Sequence, residues 1–358
     1  MPVIQEQTPS APVWRPSDAN AARVSCLPDV DVIVAFRNEA ALIASKVRNL
    51  RRLDYPNLRF FMVDGASSDR SEQIGRAAAG GDNRFRWLSS SEAGKTHQLN
   101  LAWQRCSAPW VLLTDADARL PRATVRRFVA LGESNLKVGL IGTACRPQRP
   151  STIDRTHWRS WNAVRRFESR WGAVTALGPC YAIRRAAFNG WPDDVVADDV
   201  FASLEINRAG LRCELAALDV VERRAPVGVR AFLWHKVRKV RAVLLEVRRF
   251  LPRYCEFRGA PRHFLVARAF GLLVVPWLVI AGLSAALVAS PAFAAVICAV
   301  VASSFLMPAE WRLLRLVTAP FRAIGLVVIL SFVLVAATVT LSVARPRAVF
   351  CRWKLEET

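Results

Sequence analysis

Asp115 and Asp117 lie in Thr114-Asp115-Ala116-Asp117-Ala118, directly after the apolar run Trp110 to Leu113. A buried strand that ends in alternate carboxylates puts both at the edge where open α/β sheets bind ligands. Such a pair can hold a hard divalent cation, Mg2+ or Mn2+, and a cation there can clamp the diphosphate of a nucleotide. Asp residues after a strand also serve as turn and helix caps, because they accept backbone N–H bonds, so this pair takes its meaning from its neighbours. One neighbour is Gly94-Lys95-Thr96-His97-Gln98-Leu99-Asn100, a loop entering a helix with Leu99, Ala102 and Trp103 facing inward. A lysine at a helix N-terminus opposes the macrodipole, and an anionic phosphate or a base carbonyl would compensate it; a solvated surface lysine reads the same way. The other neighbour is Ala197-Asp198-Asp199-Val200, heading an apolar helix face of Val200, Phe201 and Leu204 that stops at Gly210. Its carboxylates either cap that helix or supply a general base for an attacking hydroxyl.

These residues need a sheet to position them. Val30 to Phe36 reads as a strand with Arg37-Asn38-Glu39 at its carboxyl end, followed by a helix expected over Ala40 to Leu53. Leu58 to Val63 reads as a second strand ending in Asp64-Gly65, and Asp69 with Glu72 has capping-box spacing for the next helix. The alternation of strand and helix predicts a mostly parallel sheet flanked by helices. Asp64 then shares an edge with Asp115 and could accept hydrogen bonds from a base or ribose. Neither a GxGxxG nor a GxxxxGK[ST] pattern occurs, so a nucleotide must be held in another way. A stretch rich in Arg and Trp, Arg155 to Trp171, precedes Gly178-Pro179-Cys180-Tyr181.

The chain has 358 residues and a formal net charge of +21, enough for one large α/β domain and an appendage. Composition changes near residue 268. No charged residue occurs from Ala269 to Ala309 or from Ala323 to Ala344. A crossing takes roughly 20 apolar residues, so three transmembrane helices are expected, at about 269–289, 291–308 and 324–344. From Arg223 to Arg268 thirteen Lys or Arg stand against two Glu, as expected beside an anionic cytoplasmic leaflet. That location argues for membrane contact and against nucleic acid as the partner. Residues 236–268 form a basic interfacial segment in which Val237 to Phe250 is amphipathic, and residues 345–358 form a basic tail. Three spans place that tail outside, against the charge rule. Residues 1–28 hold five prolines and no apolar h-region, and are expected to be a flexible tail without a signal peptide, leaving residues 29–235 as a cytoplasmic domain. Eight cysteines without a CxxC pair and four dispersed histidines support neither a zinc site nor a disulfide framework.

In order, VDVIVAFRNE, VDGASSD, GKTHQLN, TDADA, GPCYAIRR and ADDVFASLEINRAG resemble the motif series of family 2 glycosyltransferases with the GT-A fold, over about residues 29 to 241. The resemblance implies a nucleotide-sugar donor, with a UDP-sugar favoured, held by Ala35, Arg37, Glu39, Asp64 and Lys95. It implies that Asp115 and Asp117 bind a divalent metal, Asp115 also meeting the donor, and that Asp199, beside Asp198, is the catalytic base. Gly178, Cys180 and Tyr181 would line the acceptor end. The chain departs from the family where QxxRW is typical: His235-Lys236-Val237-Arg238-Lys239 lacks Gln and Trp, although Arg238 could still meet the diphosphate. Ala35 and Arg37 replace the usual Pro and Tyr. The expectation is an inverting transferase acting on a lipid or lipid-linked acceptor at the cytoplasmic face of a bacterial-type inner membrane. The alternatives are a processive polysaccharide synthase and a non-catalytic basic membrane adaptor on a transferase-like fold.

Overall fold

The computed structural model describes residues 27–91, 94–148, 152–224, 229–292, 327–328 and 331–339, together with positions 295 and 299. The first 26 residues, the 345–358 tail and most of the two later apolar segments lie outside the described residues.

Strand β1 (Val30–Phe36) pairs in parallel with β2 (Leu58–Asp64) on one side and β4 (Trp110–Thr114) on the other, and β3 (Phe85–Ser89) extends the sheet beyond β2. Register carries the consequence: Phe36 lies opposite Asp64, which lies opposite Ser89, so the loops after these strands leave from one edge. Alternation along β1 sends Ile33 to one face and Val32, Val34 and Phe36 to the other, each into its own core. Helix α1 (Ile43–Arg51) buries Ile43, Lys46, Val47 and Leu50 at helical spacing and is shorter than the 40–53 expected. Helix α2 (Ser71–Ala79) ends at Gly80, which holds φ 59° and donates its N–H to Arg76 O. The capping box expected at its start does not form. Asp69 instead accepts from the Ser71 and Ala40 N–H groups, which ties α2 to the turn after β1, and Glu72 pairs with Arg76 one turn on.

Helix α3 (Lys95–Trp103) precedes β4, and β5 (Ala118–Arg119) and α4 (Thr124–Ser134) follow it. Strand β6 (Val138–Pro147) leads to α5 (Thr152–Arg170), β7 (Cys180–Arg184), α6 (Asp198–Arg208) and β8 (Arg212–Glu222). The sheet runs β3-β2-β1-β4-β7-β6-β8-β5. It is mixed: β7 is antiparallel to β4 and β6, and β5 to β8, while the other six strands run in one direction. Helix α5 explains the reversal. A parallel return would need α5 to cross the whole sheet, but Asn162 bonds both ways to the Cys145 backbone and Arg165 donates to Thr143 O, holding α5 on the carboxyl half of β6. The chain therefore re-enters as β7 from the edge it left, and Cys180 comes to lie opposite Thr114.

Helix α7 (Val229–Phe250) packs Phe250 against Phe201 of α6 and against Phe257. Its apolar stripe meets protein, since Val237 and Leu244 are buried with Val333 and Ala337. Helices α8 (Ala260–Leu273) and α9 (Val275–Ala289) together form one helix, Ala260–Ala289, long and apolar enough to cross a membrane by length and composition. It begins nine residues before the expected position 269 and carries Arg262 and Arg268 in its first half. Among the described residues it is the one such helix.

Gly132 tests the packing of α4 on the sheet. A Cβ there would meet the Trp110 ring at 2.2 Å, and Trp110 is fully buried. Alanine gains about 1 kcal/mol of helix propensity, yet overpacking costs about 1–3 kcal/mol. Gly132→Ala is therefore expected to be destabilising by about 1 kcal/mol, read as a lower thermal midpoint of the purified protein; an unchanged or higher midpoint would show that Trp110 moves freely.

Candidate active site

The backbone around the sheet edge is set first. Gln98 of α3 donates its amide to both Phe36 O and Val63 O, joining the ends of β1 and β2. Gly65 is required beside it, because a Cβ would come within 2.8 Å of the Gln98 amide. Asn38, at φ 53°, and Ser67 lock the two loops together: Ser67 Oγ accepts from Asn38 N, and Asn38 Oδ1 accepts from Ser68 N. Asp64 accepts the Ser67 hydroxyl and N–H, and Glu39, nearly buried, pairs with Arg224 at 2.8 Å. Ala35 and Arg37 are half-buried at this edge.

Lys95 stands between the two acidic motifs. Its Nζ lies 2.8 Å from Asp115 Oδ1 and 3.0 Å from Asp198 Oδ1. The compensation that its helix-start position demands thus comes from two carboxylates of the protein itself. Burial works against the ammonium, but Asp115 and Asp198 outweigh it and hold its pKa above the ordinary lysine value. Burial likewise opposes ionisation of Asp115, and Lys95 reverses this, leaving Asp115 below the usual carboxylate range. Among the described residues Asp117 has no such partner. Burial, then the charges of Asp115, Glu222 and Glu39, push it up to about 7. A small cleft, open to solvent, is lined by Lys95, Asp115, Ala35, Leu113, Pro179 and Tyr181.

Asp198 and Asp199 occupy the first turn of α6, where the helix dipole favours negative charge. Asp198 is nearly buried; beyond Lys95 it accepts the Tyr181 hydroxyl at 2.6 Å. Asp199 is aimed by backbone donors, Gly178 N at 3.2 Å and Val200 N at 2.9 Å, while burial and neighbouring Asp198 raise its pKa. Gly178, at φ 86°, delivers that N–H from a left-handed conformation that favours glycine. Cys180 is fully buried within β7, its thiol pushed up to about 12 by burial, so it backs the site without reaching the cleft surface.

The structure thus unites Lys95, Asp115, Asp198, Asp199, Gly178 and Tyr181. It places Arg238 differently, against His235 Nδ1 at 3.4 Å. The α7 cation turned towards the acidic edge is its neighbour Lys239, 3.5 Å from Glu222, whose charge bears on both Asp115 and Asp117. Burial, then the charges of Lys236 and Lys239, hold His157 neutral at about 3, and burial, then Lys239, Arg238 and Lys236, hold His235 neutral at about 2. Lys46 escaped sequence reasoning altogether. It is fully buried under β4 and donates to Thr114 Oγ1 and Ala118 O, both at 2.8 Å, bracketing the Asp115–Asp117 turn. The one available signal was its place in the apolar i, i+3, i+4 face of α1.

Among the described residues no three His, Cys, Asp or Glu side chains gather as a metal cage. The oxygen-only pair Asp115 and Asp117, with net negative charge left around Asp117, fits a hard cation that takes its other ligands from water and a bound phosphate.

Residues 31–191 match the family model Glycosyl transferase family 2, so the chain carries a domain of that family. An N-acetylglucosaminyltransferase of Rhizobium meliloti is 26% identical over 280 residues, 72% of this chain and 66% of the relative. A beta-monoglucosyldiacylglycerol synthase of Trichormus variabilis is 24% identical over 239 residues, 62% and 50% of the two chains. The chain thus spans between half and two thirds of these curated relatives. Among solved structures, a mannosyltransferase of Pyrobaculum calidifontis in complex with GDP-Man and Mn2+ superposes with a TM-score of 0.70 at 27% identity, covering 88% of this chain and 87% of its own. The mixed sheet with flanking helices is thus GT-A-like.

Lys46 supplies a pH test. Burial lowers its pKa from 10.5 to about 8 in the folded chain. Below pH 8 both states hold the proton and the burial penalty is fully present; between about 8 and 10.5 the folded state loses it first, so this group makes stability rise with pH. The stability of the wild type minus that of Lys46→Met is expected to grow across that window by about 1–3 kcal/mol. Denaturation of both proteins at pH 7, 8, 9 and 10 checks it, and a flat difference would mean that Lys46 titrates normally.

Proposed function

We propose that this chain, with its family 2 domain over residues 31–191, transfers a sugar from a nucleoside-diphosphate sugar to a hydroxyl of a lipid or lipid-linked acceptor at a membrane surface, inverting the anomeric configuration. The observation that carries this reading is the Lys95 bridge, which sets the strand-end pair Asp115 and Asp117 beside the α6 pair Asp198 and Asp199.

Asp115 and Asp117 would hold Mg2+ or Mn2+, which when bound neutralises charge building on the leaving nucleoside diphosphate. Lys95, already ionised between two carboxylates, would exchange one of them for a donor phosphate. Glu39, Arg37, Asp64 and Ala35 surround the place for the nucleoside. Lys239 reaches the donor side from α7. Asp199 takes the proton from the acceptor hydroxyl as it attacks the anomeric carbon. Its raised pKa improves it as a base, and the Gly178 and Val200 N–H groups keep the carboxylate directed. Asp198 positions Lys95 and Tyr181 around it. Support for a lipid acceptor comes from the apolar helix Ala260–Ala289 and from the glycolipid synthase among the relatives.

Detergent-solubilised protein assayed with UDP-, GDP- and dTDP-sugars, with Mg2+ or Mn2+ and with or without extracted membrane lipid, tests the reading. Metal-dependent release of one nucleoside diphosphate, stimulated by lipid, is the expected result. A growing water-soluble polymer would make the chain a synthase, and no turnover with any donor would leave a non-catalytic adaptor. Asp199→Asn is expected to lower kcat by about 10²–10⁴-fold while donor affinity stays near wild type. Asp115→Asn should lose metal-dependent donor binding itself, as read by titration calorimetry. Full activity in either variant removes the role assigned to that residue.

A further inference from the structure

Helix α5, the Arg- and Trp-rich stretch of the sequence, takes no part in the chemistry described so far. At about 3.6 residues per turn its side chains fall on three faces. One face, Asn162, Arg165 and Glu168, is buried against the sheet. A second carries Val164 and Phe167 and is continued by Trp171 in the turn just past the helix, the three exposed at 45%, 53% and 54%. The third carries exposed Arg155, Arg159, Arg166 and Arg170, of which Arg166 has Asp219 at 3.9 Å. Single exposed apolar residues are ordinary, but a stripe of three along one helix and the turn after it, with arginines along its flank, is the pattern of a helix lying in a bilayer interface.

Two contacts tie this stripe to the apolar helix. Phe167 meets Phe264 of α8 with ring centroids 5.9 Å apart, and Arg268 of α8 forms a buried ion pair with Glu168. Exposed apolar side chains also run along this helix at Val266, Phe270, Val274 and Trp277, so α5 is packed against a helix that itself presents apolar surface.

The geometry points to α5 as a membrane-contact surface of the catalytic domain: Val164, Phe167 and Trp171 enter the headgroup boundary of an anionic bilayer beside α8, and the flanking arginines meet lipid phosphates. This rests on the lipid-acceptor reading above and extends it. Arg165, fully buried, donates to Ala176 O at 2.9 Å and Thr143 O at 3.0 Å, so α5 is rigidly joined to the loop whose Gly178 aims Asp199.

The test uses the full chain with the photoreactive residue p-benzoylphenylalanine at position 167 or 171, and at exposed Arg52 at the end of α1 as control. Protein is reconstituted into vesicles of equal parts phosphatidylethanolamine and phosphatidylglycerol, irradiated, and scored for lipid adducts by mass spectrometry. The expected result is lipid adducts at 167 and 171 in at least about tenfold excess over position 52, falling several-fold in phosphatidylcholine vesicles at high salt. Adducts at 167 and 171 no more frequent than at 52, or adducts to protein in place of lipid, would overturn it. The readout needs no turnover, so lipid adducts without activity on any donor would sink the transfer reading and leave this surface standing.

Discussion

Convergence of carboxylates on one sheet edge is the constraint around which this molecule is organised. Asp115, Asp117, Glu39 and Glu222 face one another closely enough to raise Asp117, and Asp198 and Asp199 add their charges from α6. Like charges at such distances oppose one another strongly once partly removed from water. The fold answers with cations from several elements: Lys95 from α3, Lys46 from beneath β4, Lys239 from α7 and Arg224 after β8. The acidic edge that suits a cation and a diphosphate can exist because these four hold it together without them.

That answer depends on distant parts of the chain. Helix α3 is fixed to the loop before α6 through Thr96, which donates to Val195 O, and through Asn100, which exchanges hydrogen bonds with Trp191. From the other side, Glu246 of α7 accepts the Val196 N–H at 3.0 Å, and Arg249 pairs with Asp194 at 2.7 Å. The segment carrying Asp198 and Asp199 is thus held between the helix that supplies Lys95 and the helix that leads into the apolar α8–α9. Placement of the acid pair follows from both, and an interaction lost on either side would be felt at Asp199.

Most of the first half of the fold could be read from the chain. Strands β1, β2 and β4, the inward face of α3 and the stop of α6 at Gly210 follow from apolar periodicity and turn residues, which act locally. The direction of β7 could not be read, because it depends on where α5 packs, and that is decided by Asn162 and Arg165 reaching backbone of β6. Nor could the partners of Asp69, which left a capping box for a contact across loops to Ala40. The apolar stripe of α7 is visible in sequence, but whether it meets lipid or protein depends on Val333 and Ala337, almost a hundred positions away.

The sequence by itself determined which chemistries were possible: the two acidic motifs, the helix-start lysine, the order in which they occur and the apolar composition after residue 268. These are properties of residue type and short spacing, and they survive without coordinates. Only the tertiary structure decided that Lys95 serves Asp115 and Asp198 together, that Asp198 is engaged while Asp199 is aimed by backbone, that Cys180 is shut inside β7, and that Lys46 is a buried support. Each of these turns on pairing between elements remote in sequence and on removal from water, and neither burial nor long-range register is written in local periodicity.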